Sequence, residues 1–198
     1  MAMNRLSCAA LVCFIQFVAV AAHAVDVSIQ TRRQDDAIIV EATAEFASRM
    51  EDAWAVLTDY DHLSQFIPNM ESSRIVGRHP AGPVIEQKGV ARLLLFRYPL
   101  VIRLAVMEFP PYRIVSRGAG GSFKYFRGVY DLSVIEGRTH LHYTCEMVPD
   151  FFIPPFLGTA VLRHNVEESF GALAHEIVRR SAASRPAQNP SDRATNAR

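Results

Sequence analysis

Apolar and polar residues alternate with a period of two over much of the chain between residues 25 and 148. Val27 and Ile29 alternate with polar neighbours, and after the turn Gln34-Asp35-Asp36 the alternation resumes from Ile38 to Phe46. Such alternation places every second side chain on one face, which is typical of a β-strand with one face in water. The segment therefore predicts a β-hairpin.

Further strands with the same alternation follow, separated by Gly, Pro or short polar turns that include Tyr98-Pro99 and Gly118 to Gly121. Because these connections are short, the predicted sheet is antiparallel. From Ala91 to Val106 both strand faces are largely apolar, so the sequence indicates that the hairpin, a second subunit or a lipid surface covers the outer side. The further strands are Arg74 to Arg78, Ile85 to Phe96, Leu100 to Phe109, Arg113 to Arg117, Lys124 to Ile135 and Thr139 to Val148.

Two short helices are predicted between the hairpin and the remaining strands. Ser48 and Glu51 have the spacing of a capping box, which places a helix start at Ser48. The triplet Asp59-Tyr60-Asp61 interrupts this helix, and a second short helix ends at Pro68. The apolar positions of the two helices are Met50, Ala53, Trp54, Leu57, Leu63 and Phe66.

One long helix is predicted at the end of the domain, beginning at Pro155, where the missing backbone N–H costs nothing. At a rise of about 1.5 Å per residue it spans roughly 35 to 40 Å, enough to cross a sheet. Its apolar stripe is Thr159, Leu162, Val166, Phe170, Leu173 and Ile177.

The chain begins with the pattern of a cleavable secretory signal. Arg5 precedes an apolar run from Leu6 to Val20, and Ala22-His23-Ala24 follows. We expect cleavage after residue 24 and a periplasmic mature protein that begins at Val25. Of the three cysteines only Cys145 would remain, so no intramolecular disulfide is expected. Residues 25–181 form one predicted domain, and residues 182–198, without apolar periodicity, a disordered tail.

The charge of the chain argues against nucleic-acid binding. Cleavage removes one of the 21 basic residues and leaves a balanced charge against 20 acidic residues. The sequence contains no run of Lys and Arg, whereas nucleic-acid binding depends on neutralising phosphates. We therefore expect no nucleic-acid partner. The oligomeric state stays open.

Candidate catalytic and metal-binding residues are few. His140 and His142 share a strand face with Glu146, a conceivable zinc set, but this is the polar face and a solvated surface is favoured. His164 and Glu168 are spaced i, i+4 on the long helix and fit a surface pair. Cys145 lies on the apolar face of its strand and is interpreted as a small buried hydrophobe. No metal and no cofactor are expected.

Several segments resemble the START/Bet v 1-like superfamily, most closely its polyketide cyclase/dehydrase and coenzyme-Q-binding branch. They are Ala53 to Tyr60, Phe66-Ile67-Pro68, Phe126 to Leu132, Thr139 to Tyr143 and the Pro149 to Pro155 loop. The resemblance implies an α+β helix-grip fold, in which a curved antiparallel sheet wraps around a long C-terminal helix, with two short helices near the N-terminus.

The same resemblance implies a pocket between the long helix and the sheet. The expected function is an exported protein that holds a lipid, quinone or polyketide-like molecule without converting it. The expected lining residues are Trp54, Phe66, Phe126, Tyr130, Tyr143, Phe156, Thr159 and Leu162, and the expected lid, with transient membrane contact, is Phe151, Phe152 and Ile153.

Two other classes of function stay open on the sequence alone. A cyclase or dehydratase would require an ionisable group inside the pocket, and Glu86, Arg103 or His164 would have to face inward. A protein-interaction module would have a filled core and an exposed apolar patch.

Overall fold

The computed structural model describes residues 26–93, 96–153 and 158–184; the predicted signal segment lies outside them. The elements are β1 (Asp26–Gln34), β2 (Ala37–Phe46), α1 (Met50–Leu57), a 3₁₀ helix (Tyr60–Gln65), β3 (Met70–His79), β4 (Gly82–Leu93), β5 (Phe96–Phe109), β6 (Arg113–Gly121), β7 (Phe123–Ile135), β8 (Arg138–Pro149) and α2 (Gly158–Ser184).

The strands form one antiparallel sheet in the order β1-β2-β8-β7-β6-β5-β4-β3. The register that pairs Ala42 with Tyr143 joins the first hairpin to the last strand. The long helix α2 packs across the concave face, against β1, β2, β4 and α1. This arrangement is the helix-grip fold, as the sequence predicts.

Two predicted turns are wrong, because the residues assigned to them lie within strands. Pro99 pairs with Val90 inside β5, so the β4–β5 connection falls between Leu93 and Phe96. Gly121, with a φ of 111°, lies in β6, and a Cβ there would stand 2.1 Å from the carbonyl oxygen of Val101. Glycine is therefore required by the close approach of two strands and not by a turn.

The capping box predicted at Ser48 and Glu51 is also wrong. Helix α1 begins at Met50, and its N-cap residue, Arg49, makes no side-chain capping hydrogen bond. Ser48 is buried, its Oγ has no hydrogen-bond partner in the described part of the chain, and its carbonyl accepts a 2.7 Å bond from Thr139 Oγ1. Ser48 thus connects the start of the helix to β8.

The long helix extends three residues beyond the predicted domain end, since Ala182 to Ser184 are still helical. These residues belong to α2 and not to the predicted tail, whose remainder lies outside the described residues, as does the predicted helix start at Pro155. None of the helices described is both long and apolar enough to cross a membrane.

The structure explains why the inner face of β5 is apolar. Leu104 and Val106 of β5 are buried and point toward α2, whereas Arg103 and Ala105 lie on the opposite, outer face. Within the described residues the outer face is not covered by another element.

Candidate ligand-binding cavity

A cavity of about 390 Å³ lies between the N-terminal half of α2 and strands β3 to β8. Ligand pockets in proteins commonly enclose about 300 to 1,000 Å³ and are mostly apolar. Most of the lining here is apolar as well. Its main apolar side chains are Leu57, Leu63, Ile67, Met70, Ile85, Val90, Leu100, Ile102, Leu104, Val106, Ile114, Phe126, Val166, Phe170 and Leu173.

An aromatic stack forms the wall beneath α2. The rings of Tyr130 and Tyr143 stack with centroids 4.3 Å apart, and Phe170 of α2 lies 6.4 Å from Tyr143. Gly128 makes room for this stack, because a Cβ at that position would lie 2.8 Å from Ser116 Oγ and 3.4 Å from the Tyr143 hydroxyl. The wall therefore depends on the absence of a side chain in β7.

The ionisable groups of this wall are kept neutral by their surroundings. Burial raises the pKa of Tyr130 and of Tyr143, so both hydroxyls stay protonated and can donate hydrogen bonds. Burial also raises the pKa of the Cys145 thiol to about 12, which keeps it protonated and unreactive. Tyr60, whose pKa is raised by burial and by Glu108, donates a 2.9 Å hydrogen bond to that carboxylate.

Two hydrogen bonds tether the N-terminal half of α2 to the rim of the cavity. Asn69 Nδ2 donates to Glu168 Oε2 over 3.2 Å, and Asn165 Nδ2 donates to the Arg92 carbonyl over 3.1 Å. Gly89 permits the first contact, since a Cβ there would lie 2.5 Å from the Asn69 carbonyl oxygen. These contacts lie at the edge of the fold, where they are open to competition from water.

One end of the cavity is closed by the predicted lid, Phe151 to Ile153. Phe151 stacks on Tyr98 with ring centroids 4.2 Å apart and meets Phe123 edge-on at 6.3 Å. Ile153 is buried, whereas Phe152 is 81% exposed. Phe151 and Ile153 line the cavity, and Phe152 points away from it.

Only part of the predicted lining comes together in the structure. Phe126, Tyr130 and Tyr143 line the cavity, whereas Trp54 and Phe66 do not. Trp54 packs against the core, and Phe66 lies under the Arg180 guanidinium, 5.5 Å from ring centroid to Cζ. Phe156 lies outside the described residues, as do the side chains of Thr159 and Leu162.

The sequence reasoning missed the wall provided by the 3₁₀ helix and the strands beside it. The period-two alternation of β4 and β5 marks one face as apolar, but it does not say whether that face meets side chains or a space. The apolar residues between Leu57 and Met70 could have indicated this wall, but the sequence analysis interpreted them only as the packed face of two short helices. The missed residues are Leu57, Tyr60, Leu63, Ile67, Met70, Ile85, Leu100, Ile102 and Leu104.

The residues named for the enzymatic alternative do not face the cavity. Glu86 lies on the outer face and accepts hydrogen bonds from Arg74 at 2.7 Å and Arg103 at 2.9 Å, which lower its pKa to about 2. His164 is exposed, with its Nε2 3.5 Å from Glu168 Oε1.

The strand histidines also lie on the outer face. His142 Nε2 is 3.1 Å from Glu41 Oε1, and His140 Nε2 is 3.9 Å from Glu45 Oε2. In the part of the chain that the structure describes, no three His, Cys, Asp or Glu side chains are placed to share a metal ion.

A family model described as polyketide cyclase/dehydrase and lipid transport matches residues 47–169, which span α1, most of the sheet and the first half of α2. The chain belongs to this family. The match includes the 3₁₀ helix, β4, β5 and the aromatic stack, and thus almost all of the cavity lining. No curated protein matches the sequence significantly.

Solved structures share the fold at low sequence identity. A protein from Thermus thermophilus is 19% identical, with a TM-score of 0.60 over 74% of this chain and 99% of that one. The Zhui aromatase/cyclase from Streptomyces sp. R1128 is 17% identical, with a TM-score of 0.58 over 74% and 94%. A STAR-related lipid transfer protein from Xanthomonas axonopodis is 13% identical, with a TM-score of 0.60 over 79% and 94%.

Proposed function

We propose that this protein is an exported carrier that binds one hydrophobic small molecule in the cavity between the sheet and α2. The observation that carries the proposal is a mostly apolar space of about 390 Å³ between α2 and the sheet. Protein interiors are normally close-packed, so a space of this size without a ligand sacrifices dispersion contacts. A ligand would restore them.

The chemistry of the lining supports a lipid, quinone or polyketide-like ligand. The rings of Tyr130 and Tyr143 supply flat apolar area, and their protonated hydroxyls can donate to a carbonyl or hydroxyl of a ligand. A mostly apolar wall with a few hydrogen-bond donors fits a molecule with a large apolar body and sparse oxygens. The lipid transfer protein and the aromatase/cyclase among the structural neighbours agree with this class.

Binding without conversion is favoured over catalysis by the state of the ionisable groups. The tyrosine hydroxyls and the Cys145 thiol hold their protons well above neutral pH, so none of them is poised as a general base. Glu86 and His164 lie outside the cavity. A carrier needs none of these groups to titrate.

Export to the periplasm is part of the proposal and rests on the signal pattern of residues 1–24. Fractionation of cells and N-terminal sequencing test it. We expect a periplasmic protein that begins at Val25, and a membrane-bound protein that begins at Met1 would contradict both export and transport between membranes.

Ligand binding is tested by filling the cavity from the helix side. Ser169 is half-buried in α2 and lines the cavity, so the substitution Ser169→Phe should project a ring into the ligand space. His175→Phe is the matched control, because His175 is exposed on the same helix. Native mass spectrometry of protein purified from its own periplasm should show a bound apolar mass in the wild type and the control, and loss of that mass in Ser169→Phe.

Two results would count against the carrier. Equal occupancy in the wild type and Ser169→Phe would place the ligand elsewhere. A bound mass that changes to a product during incubation would move the assignment to an enzyme.

A further inference from the structure

The outer face of the sheet carries a concentration of positive charge that the balanced composition of the chain conceals. Cross-strand pairing places arginines from five successive strands, β3 to β7, on this face. All of them are exposed. They are Arg74, Arg92, Arg97, Arg103, Arg117 and Arg127.

Four of these arginines form two like-charge pairs. Arg92 is the direct cross-strand partner of Arg97, and Arg117 is the partner of Arg127. Residues paired in this way have Cβ atoms about 5 Å apart, and like charges so placed destabilise a sheet. Across the described residues, none of the four has a carboxylate within ion-pair distance. Glu146 of β8 is the other direct cross-strand partner of Arg127 and offsets part of the repulsion in the second pair. The Arg92–Arg97 pair has no such partner among the described strands, so its position costs stability, which indicates another use.

Acidic residues compensate part of this surface, since Asp131 of β7 pairs with Arg113 of β6 and Glu86 of β4 lies among several cations. Glu86 pairs with Arg74 and Arg103, and Lys88 Nζ lies 3.8 Å from the same carboxylate, so three cations share one anion. Beyond Arg127 the face becomes acidic, beginning with Glu146 of β8. The positive charge is thus confined to one half of the outer face.

The basic half of the face ends at the cavity. Arg92 and Arg97 belong to the β4–β5 hairpin. Tyr98, which directly follows Arg97, stacks on Phe151 at the closed end of the cavity. Arg103 follows Arg97 by six residues along β5. At about 3.3 Å per residue, the positive charge therefore extends on the order of 20 Å from this end of the cavity. Tyr125, 44% exposed, lies on the same face two residues before Arg127.

We propose that this face, from β3 to β7, docks the protein on a bilayer that contains anionic phospholipids. Guanidinium groups bind phosphate oxygens through paired N–H donors, and tyrosine is enriched at the lipid interface. Docking would place the hairpin and the Phe151 end of the cavity beside the lipid. The choice of a bilayer as the occupant rests on the proposed function, because a carrier of apolar molecules must collect them from lipid.

Vesicle sedimentation with the full mature chain tests the docking surface. The vesicles are phosphatidylcholine alone and phosphatidylcholine mixed with phosphatidylglycerol. Each basic residue near an anionic surface contributes about fivefold to binding, so Arg117→Gln/Arg127→Gln should weaken binding to the anionic vesicles on the order of thirtyfold. Raising the ionic strength from about 0.01 M to about 0.15 M shortens the Debye length from about 30 Å to about 8 Å. This screening should weaken the binding of the wild type to the anionic vesicles as well.

Two further variants control for charge and for folding. Arg32→Gln/Arg33→Gln removes the same charge from exposed positions on β1, away from the basic face, and should change binding by less than about threefold. Arg117→Lys/Arg127→Lys keeps the charge and should retain most of the binding. Circular dichroism checks that every variant is folded.

The outcomes separate docking from ligand binding. We expect the Arg117→Gln/Arg127→Gln variant to bind an added apolar fluorescent probe with the affinity of the wild type while its binding to the anionic vesicles is weakened. Equal binding to both kinds of vesicle, or equal loss in the control, would overturn the docking surface. Loss of duplex-DNA binding with unchanged vesicle binding would assign the face to nucleic acid instead. An empty cavity in a protein that still docks would contradict only the carrier.

Discussion

The two ends of α2 cover the same sheet, yet one end is packed solid and the other encloses a cavity. At the C-terminal end, Ala174 and Ile177 belong to the same buried cluster as Ala42 and Ala44 of β2, and all four are nearly fully buried. At the N-terminal end, Phe170 and Val166 face the sheet across the cavity. We call these the filled half and the open half.

The two halves differ in the number of alanines beneath the helix. Alanines at positions 42, 44, 53 and 174 allow α2 to approach β2 and α1 closely in the filled half. In the open half the sheet carries larger residues such as Leu104 and Phe126, which line the cavity. One helix can therefore anchor a fold at one end and cover a binding site at the other.

The largest expected effect is on stability, in a matched pair of leucine substitutions. Leu141 is 1% exposed in the filled half, and Leu104 borders the cavity in the open half. Leu141→Ala should lower the free energy of unfolding by about 3 to 5 kcal/mol, and Leu104→Ala by about 2 kcal/mol, because Leu104 already lacks neighbours on one side. Denaturant unfolding measures both. Equal losses would mean that the halves are packed alike.

Ligand affinity, unlike stability, should depend mainly on residues of the open half. Tyr143→Ala removes contact area from the cavity wall and should weaken ligand binding by on the order of 2 kcal/mol, or about thirtyfold. His142→Ala, one residue earlier on the outer face of β8, is the control and should leave affinity unchanged. Titration with an apolar fluorescent probe measures the constants. A greater loss at His142 would place the binding site outside the cavity.

Acid should weaken the contact between the C-terminal end of α2 and the α1 region. Arg179 and Arg180 lower the pKa of Glu176 to about 2, and Arg180 also pairs with Asp59 at 2.7 Å. A depressed carboxyl pKa contributes stability above its unfolded value of 4.5, which is lost as the pH falls through about 2. We expect this contribution to be about 1 to 2 kcal/mol, since the arginines are partly exposed.

The substitution Glu176→Gln isolates this effect from other carboxylates that titrate in acid, including Glu86. Unfolding free energies of wild type and variant should differ most above pH 5 and should converge as the pH approaches 2. A difference that stays constant over this pH range would show that the charge of Glu176 is not what stabilises the helix.

The smallest expected effect on stability is at the exposed residue of the lid. Phe152 is 81% exposed, so Phe152→Ser should change the free energy of unfolding by less than about 0.5 kcal/mol. It should reduce liposome binding, because the ring is free to enter lipid. Phe151→Ser, which removes the stack on Tyr98, should instead speed ligand exchange. Unchanged liposome binding in Phe152→Ser would remove the membrane role of this residue.

The chain of alternating and helical segments was predictable because each depends on local periodicity. The hairpin from Val27 to Phe46, the antiparallel strands and the long final helix are all present in the structure. Local signals failed where a distant contact decided the conformation. Pro99 and Gly121 looked like turn residues, but pairing with neighbouring strands holds both inside the sheet.

The periodicity of the sequence determined which face of each strand is apolar, and the resemblance of its segments to a known superfamily implied the helix-grip fold and the inward position of Tyr130 and Tyr143. Only the tertiary structure decided that the inner face meets a cavity at one end of α2 and packed alanines at the other. It also brought the pairs Arg92–Arg97 and Arg117–Arg127, which come from two separate hairpins, onto one surface. The physical reason is that spaces and charged surfaces arise from residues far apart in the chain, whereas periodicity reports only on near neighbours.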